Sequence, residues 1–168
     1  TYILRHTQLV PRNILDIFNR LLVESGSLWR MSCRITSNAI IESVSSEEPQ
    51  IAKQRLQPFL GMYRGVEDAI PELCRQLPHM FTGKELRKVT QRVYKATELS
   101  QHQLMDLCYR IGIFGAVKDI NPNGYIVADF YDGFGVELQV EPGEQFCFHP
   151  VFSKLYKAHL RRHGDLRA

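Results

Sequence analysis

Gln145-Phe146-Cys147-Phe148-His149-Pro150-Val151-Phe152 carries two periodicities across a single proline, and its reading decides the fold. Phe146 and Phe148 alternate with Gln145 and Cys147, the period-2 pattern of a strand with one buried face. Beyond Pro150 the apolar residues Val151, Phe152, Leu155, Tyr156 and Leu160 fall at helical spacing, with proline at an entry position where an N–H would lack an acceptor anyway. An apolar strand therefore hands over to an amphipathic helix, and His149 stands at the junction. The first N–H groups of such a helix have no intrahelical partner, which favours an anion nearby. The same position equally suits a histidine that caps its own helix or fills a packed corner.

Working back along the chain, residues 136–140 alternate as well, and Pro142-Gly143 turns between the two strands. Strands over 116–120 and 125–131 flank the turn residues Asn121-Pro122-Asn123-Gly124, a hairpin pattern. Before Gly112 and Gly115 the period is helical. Ser100 caps a helix that turns Leu104, Leu107, Cys108 and Ile111 inward. Thr82 caps another, with Leu86, Val89, Val93 and Ala96 on one side and Lys84, Lys88, Arg92 and Lys95 on the other. Val66, Ala69, Ile70, Leu73, Cys74 and Leu77 form a third, in which Pro71 marks either a kink or a true start at Ile70. Three helices followed by an antiparallel hairpin is winged-helix order.

The first sixty residues read as helix throughout. Pro11 opens a helix with the stripe Ile14, Leu15, Phe18, Leu21 and Leu22, ending before Gly26. Thr36 or Ser37 caps a short helix through Ile40, Ile41 and Val44. Ser46, followed by Glu47 and Glu48, starts another that packs Ile51, Ala52, Leu56, Phe59 and Leu60 and closes at Pro58 and Gly61. The expected fold is mainly α with a small antiparallel β wing, an α+β class. Its units are a helical subdomain over 1–62, a winged helix over 63–149, and a C-terminal helix and tail over 150–168.

Composition narrows the function classes. Hydrophobic residues make up 44% and charged residues 23%, a globular balance with no run long enough to span a membrane. No signal peptide opens the chain, and a cytoplasmic location with no membrane partner is expected. Thr1 in place of methionine, with Tyr2-Ile3-Leu4 already structured in character, points to a piece of a longer protein. The four cysteines, Cys33, Cys74, Cys108 and Cys147, include no C-x-x-C pair and no zinc-ligand spacing, and Cys74 and Cys108, on apolar helix faces, read as reduced core residues. Glycine-rich phosphate loops, nucleophile elbows, zinc-protease helices and paired catalytic carboxylates are all missing, so no catalysis is expected of this chain alone. His159 and His163 share a helix face but lack a third ligand, so no metal is expected.

Two binding alternatives follow from the pattern. The stripe Lys84, Lys88, Arg92 and Lys95 suits a phosphate backbone, and a DNA-reading winged helix would send the helix over 101–112 into the major groove. Its outward residues would be His102, Gln103, Asp106 and Arg110, a set with one acid and one base. Alternatively the wing strands over 125–140 offer an edge to a protein partner, with Tyr125, Tyr131 and Phe134 as exposed aromatics.

Arg5-His6-Thr7-Gln8-Leu9-Val10-Pro11-Arg12 resembles the Arg-His-Thr-x-x-x-Pro-Arg passage of a bacterial branch of the STAND-type P-loop ATPases. Phe148-His149-Pro150-Val151 is similar to the place where that class carries a methionine-histidine-aspartate motif, here with Phe148 for methionine and Pro150 for aspartate. The resemblance spans nearly the whole chain: helical lid, winged helix, trailing helix. It implies a regulatory, nucleotide-sensing region lacking the phosphate-binding core, with Pro11 laid against an adenine ring and His149 at the β-phosphate of ADP. Arg12 and Arg5 would then supply planar donors to phosphate oxygens. No cofactor is expected in this chain alone, and ATP or ADP in the intact protein. The implied partners are the upstream ATPase core of the same protein and a neighbouring protomer.

Overall fold

The computed structural model describes residues 11–24, 35–122, 126–130 and 138–156. Helix α1 spans Pro11–Glu24 and helix α2 spans Ser37–Leu60. The stripe expected on α1 is not the one that is buried. Ile17 and Leu21 are fully covered, whereas Leu15 is 61% exposed, Phe18 44% and Leu22 37%. Among the described elements α1 packs chiefly on α2. A single neighbouring helix covers a narrow seam rather than a broad apolar face.

α2 corrects a second expectation, because one helix replaces two. Thr36 is its N-cap, with Oγ1 accepting from the Ala39 N–H at 3.2 Å. At the proposed break, the Ser46 hydroxyl donates to the Ser43 carbonyl at 2.8 Å, the reverse of a capping contact. Pro49 lies inside the helix. Continuity wins because Ser43, Val44, Glu48, Ile51, Ala52 and Leu56 form one buried stripe running through the break. Arg20 on α1 reaches Glu47 on α2 at 2.5 Å and ties the pair together.

After the turn over 61–65 the chain enters helix α3, Val66–Gln76. Gly65 precedes it at φ +81°, in the left-handed region where glycine is favoured. A Cβ on Gly65 would stand 2.1 Å from the Ala96 carbonyl oxygen, so two turns of backbone meet here. The helix begins at Val66, not Ile70, and Pro71 is carried inside it. Val66, Ala69, Ile70, Leu73 and Cys74 are all buried, and that contact holds the turn before the proline helical.

Strand β1, Met80–Thr82, follows and was not anticipated. Thr82 both ends it and caps helix α4, Gly83–Val93, through a reciprocal box with Glu85. A 3-10 turn over Tyr94–Ala96 leaves Ala96 exposed, not inward as the period suggested. Ser100 and Gln103 form a second capping box at the start of helix α5, Gln101–Ile111. Gly112, at φ +79°, stops α5, and the Ile113 N–H closes on the Cys108 carbonyl at 3.0 Å.

Strands β2, Phe114–Ile120, β3, Ile126–Asp129, and β4, Gln145–Phe148, complete an antiparallel sheet in the order β1-β4-β2-β3. The register places Phe81 opposite Phe146, and Phe114 opposite Phe148. With a period of two, all four phenylalanines share one face. Their rings pack at centroid distances of 5.1 to 6.0 Å among Phe81, Phe114, Phe146 and Phe148. This face meets Leu86, Leu104 and Ile111 in the core.

Residues 138–140 correct the expected strand over 136–140, whose first two positions lie outside the described residues. Leu138 and Val140 are buried and Gln139 exposed, so the alternation is real, but no strand ladder includes them. Their surroundings use the backbone differently. The Arg87 guanidinium donates to the Val140 carbonyl, and the Gly83 and Lys84 N–H groups donate to Glu144 and Pro142 carbonyls at 2.8 and 3.1 Å. The segment thereby seals the first turn of α4. Helix α6, Pro150–Tyr156, returns against α2, and buried residues of α1, α2 and the sheet belong to one continuous core.

Candidate functional site

His149 stands between the end of β4 and the start of α6, and it is 2% exposed. Its N–H donates to the Ile113 carbonyl at 2.9 Å, fixing it beside the start of β2. Its carbonyl accepts from Phe152 and Ser153 at 3.0 and 2.9 Å, and its Nδ1 accepts from the Val151 N–H at 3.3 Å. An accepting Nδ1 leaves the ring proton of the neutral imidazole on Nε2. Phe130 packs edge-on against the ring, with centroids 4.8 Å apart and planes at 81°. His149 thus caps α6 and fills a covered corner. The junction was evident from sequence, while Phe130, which covers it, carries no local signal that could have found it.

A pocket of about 260 Å³ opens beside this corner, lined by His79, Val127, Phe130, Cys147, Phe148 and Pro150 among others. Among the described residues no lysine or arginine lines it, so these offer no cation to a phosphate. His79 holds its place through Nδ1, 3.3 Å from the Ser153 hydroxyl. A second cleft of about 570 Å³ lies where the first turn of α5 faces residues 138–141. Several of its polar groups already have internal partners: Gln101 Nε2 donates to the Arg87 carbonyl, and Arg87 to the Val140 carbonyl.

The remaining nucleotide-contact candidates fall unevenly. Pro11 and Arg12 occupy the first turn of α1, but their side chains lie outside the described residues, as does Arg5 altogether. The structure therefore brings none of them into a described contact with His149.

The DNA-contact candidates separate into two groups. Lys84, Lys88, Arg92 and Lys95 are all exposed, and none forms an ion pair with a described residue. On α5 the picture is different. Arg110 Nε is held by Asp106 Oδ2 at 2.6 Å, and the Gln103 side chain accepts from the Ser100 N–H at 2.8 Å. The expected reading face of α5 is thus largely engaged with its own helix. Tyr125, Tyr131 and Phe134, the aromatics considered for a protein contact, lie outside the described residues.

Cys74, Cys108 and Cys147 are free and buried, and Cys33 lies outside the described residues. Burial pushes the Cys147 thiol up to about 11 and Cys108 up to about 12, which suppresses the thiolate at neutral pH. Among the described residues no three histidine, cysteine or acidic side chains gather into a metal site, and His159 and His163 lie outside them. No described helix is long and apolar enough to cross a membrane. Compared with known proteins, the chain matches no family model, no curated protein and no solved structure.

Proposed function

We propose that this chain is the regulatory region of a STAND-type P-loop ATPase, a helical lid followed by a winged helix, whose phosphate-binding core lies elsewhere in the same protein. The observation that carries the reading is the strand order. β1 lies between α3 and α4, and it pairs with β4, which follows the β2–β3 hairpin and inserts between β1 and β2. A short strand after the first helix that pairs with the last strand of the unit is the connectivity of a winged helix. The sequence resemblances at Arg5–Arg12 and Phe148–Val151 supply the class.

In this reading Pro11 lies against the base, and Arg12 and Arg5 face the phosphates. His149 acts where the winged helix joins the lid, since α6, which it caps, packs on α2. Its burial under Phe130 supports a positioning role: the histidine sets the angle at which α6 returns to the lid. A direct contact with diphosphate requires Phe130 to move off the ring. Coupling lid to winged helix over one nucleotide would make nucleotide identity bias the orientation of both.

The test is isothermal titration of the intact ATPase with ADP. Pro11→Gly and His149→Ala should each weaken ADP binding by about tenfold or more, roughly 1.4 kcal/mol. Unchanged affinity in both variants overturns the nucleotide role.

A further inference from the structure

The outer face of α4 and of the 3-10 turn after it carries four exposed cations with no ion pair to a described residue, and we infer that it docks the phosphodiester backbone of a nucleic acid without reading its sequence. The inference does not rest on the ATPase reading. Lys84, Lys88 and Arg92 recur at i, i+4 and i+8, which at 3.6 residues per turn confines them to an arc of about 80°, and Lys95 follows, exposed, in the 3-10 turn Tyr94–Ala96. Leu86, Val89, Thr90 and Val93 occupy the opposite side and are buried, so the column cannot turn away from solvent. The stretch from Lys84 to Lys95 holds five cations and one anion, a formal charge of +4 against +3 for the whole chain. That one anion, Glu85, accepts from the Thr82 N–H and hydroxyl at 2.8 and 2.9 Å and is drawn back onto the cap. Arg87 turns aside to the Val140 carbonyl, which leaves four cations on the exposed side of α4 and the turn after it.

Three further observations select the partner. First, the N–H groups of Gly83 and Lys84 are bonded to the 142–144 turn, so the column itself, not the helix terminus, is the attractive element. Second, among the described residues the exposed large apolar side chains lie elsewhere: on α1, at Ile35, Ile41 and Met62, and at Ile120 and Val127 of the hairpin. A lipid-surface helix needs apolar side chains beside its cations, and an acidic protein partner needs an anchor to bury. α4 offers neither. Third, the neighbouring α5 keeps Arg110 on Asp106 and Gln103 in its cap, so base-edge contacts are not prepared. Exposed cations about one helical turn apart, with no ion pair to a described residue, suit a regular polyanion.

The test is fluorescence anisotropy of the 168-residue chain with a labelled mixed-sequence DNA duplex, and separately with duplex RNA, from about 50 to 200 mM salt. Four neutralised phosphates on B-form DNA predict a log–log salt slope near −3.6, a loss of about 150-fold in affinity across that range. Lys84→Gln, Lys88→Gln, Arg92→Gln and Lys95→Gln should each flatten the slope by about 0.9, and all four together should abolish binding. The charge-conserving quadruple K84R/K88R/R92K/K95R should bind as the parent does, which separates charge from folding. Arg110→Gln should change nothing. No binding at the low-salt end, binding that survives all four glutamines, or loss on Arg110→Gln each overturns the inference. So does capture by phosphatidylserine vesicles or a polyglutamate peptide without nucleic-acid binding.

Discussion

Replacing His149 separates its work inside the fold from any work on a ligand. In His149→Ala the Val151 N–H loses its acceptor, a capping deletion of about 1 kcal/mol. The edge-on contact with Phe130 goes too, which for such ring pairs amounts to about 0.5–1.5 kcal/mol. Removing a ring from a site 2% exposed also leaves a void with covered walls, adding roughly 1 kcal/mol or more. The sum is about 3 kcal/mol, or a fall of about 6–12 °C in Tm for a chain of this size. His149→Asn returns an acceptor at the cap and should recover about 1 kcal/mol while leaving the void. Scanning calorimetry of the chain and its two variants decides the matter. An unchanged midpoint in His149→Ala, or an asparagine variant no better than alanine, refutes the capping argument and leaves His149 available for another task.

Further outcomes follow from geometry already described. Gly65→Ala should cost about 2–4 kcal/mol, combining the left-handed backbone with a Cβ driven against the Ala96 carbonyl. Gly61→Ala, at φ −86° with nothing within 4 Å of its Cβ, should be neutral or stabilising by up to about 1 kcal/mol. Urea midpoints for the two variants should therefore move in opposite directions or differ clearly in size. The thiols give a pH dependence of definite sign. Cys108 and Cys147 ionise near their ordinary value when unfolded but only at about 12 and about 11 when folded. The unfolded state thus binds fewer protons above about pH 9, and stability should fall as pH rises beyond that point. Denaturation at about pH 8 and about pH 10 checks this, with Cys108→Ala and Cys147→Ala each reducing the dependence.

Local signals in the sequence translated directly into structure. Thr82 with Glu85, Ser100 with Gln103, and Gly112 behind Ile111 each define a helix end from residues within four positions. Ser46 shows the limit of such signals. Its local chemistry marks a start, yet the buried stripe from Ser43 to Leu56 depends on α1 and α6, which the local sequence cannot specify. The buried face of α1 was misjudged for a related reason: sequence ranks apolarity, whereas the number of neighbouring helices decides how wide a face is covered. β1 escaped notice because three residues display no period. At the candidate site the junction at His149 and the column on α4 were both visible. Their partners were not, because Phe130 and the 142–144 turn reach them only through the tertiary fold.

β4 occupies a slot between β1 and β2 although it is the last strand in the described sequence. During synthesis Phe81 and Phe114 therefore emerge well before Phe146 and Phe148, the two rings that fill the gap between them. Until that final strand arrives, two flanks with unsatisfied hydrogen-bonding groups and a wet aromatic layer face outward, the condition under which chains associate wrongly. The unit is thus a zip fastened from its tail, and a nascent or proteolysed chain stopping short of Phe148 has no means of closing it.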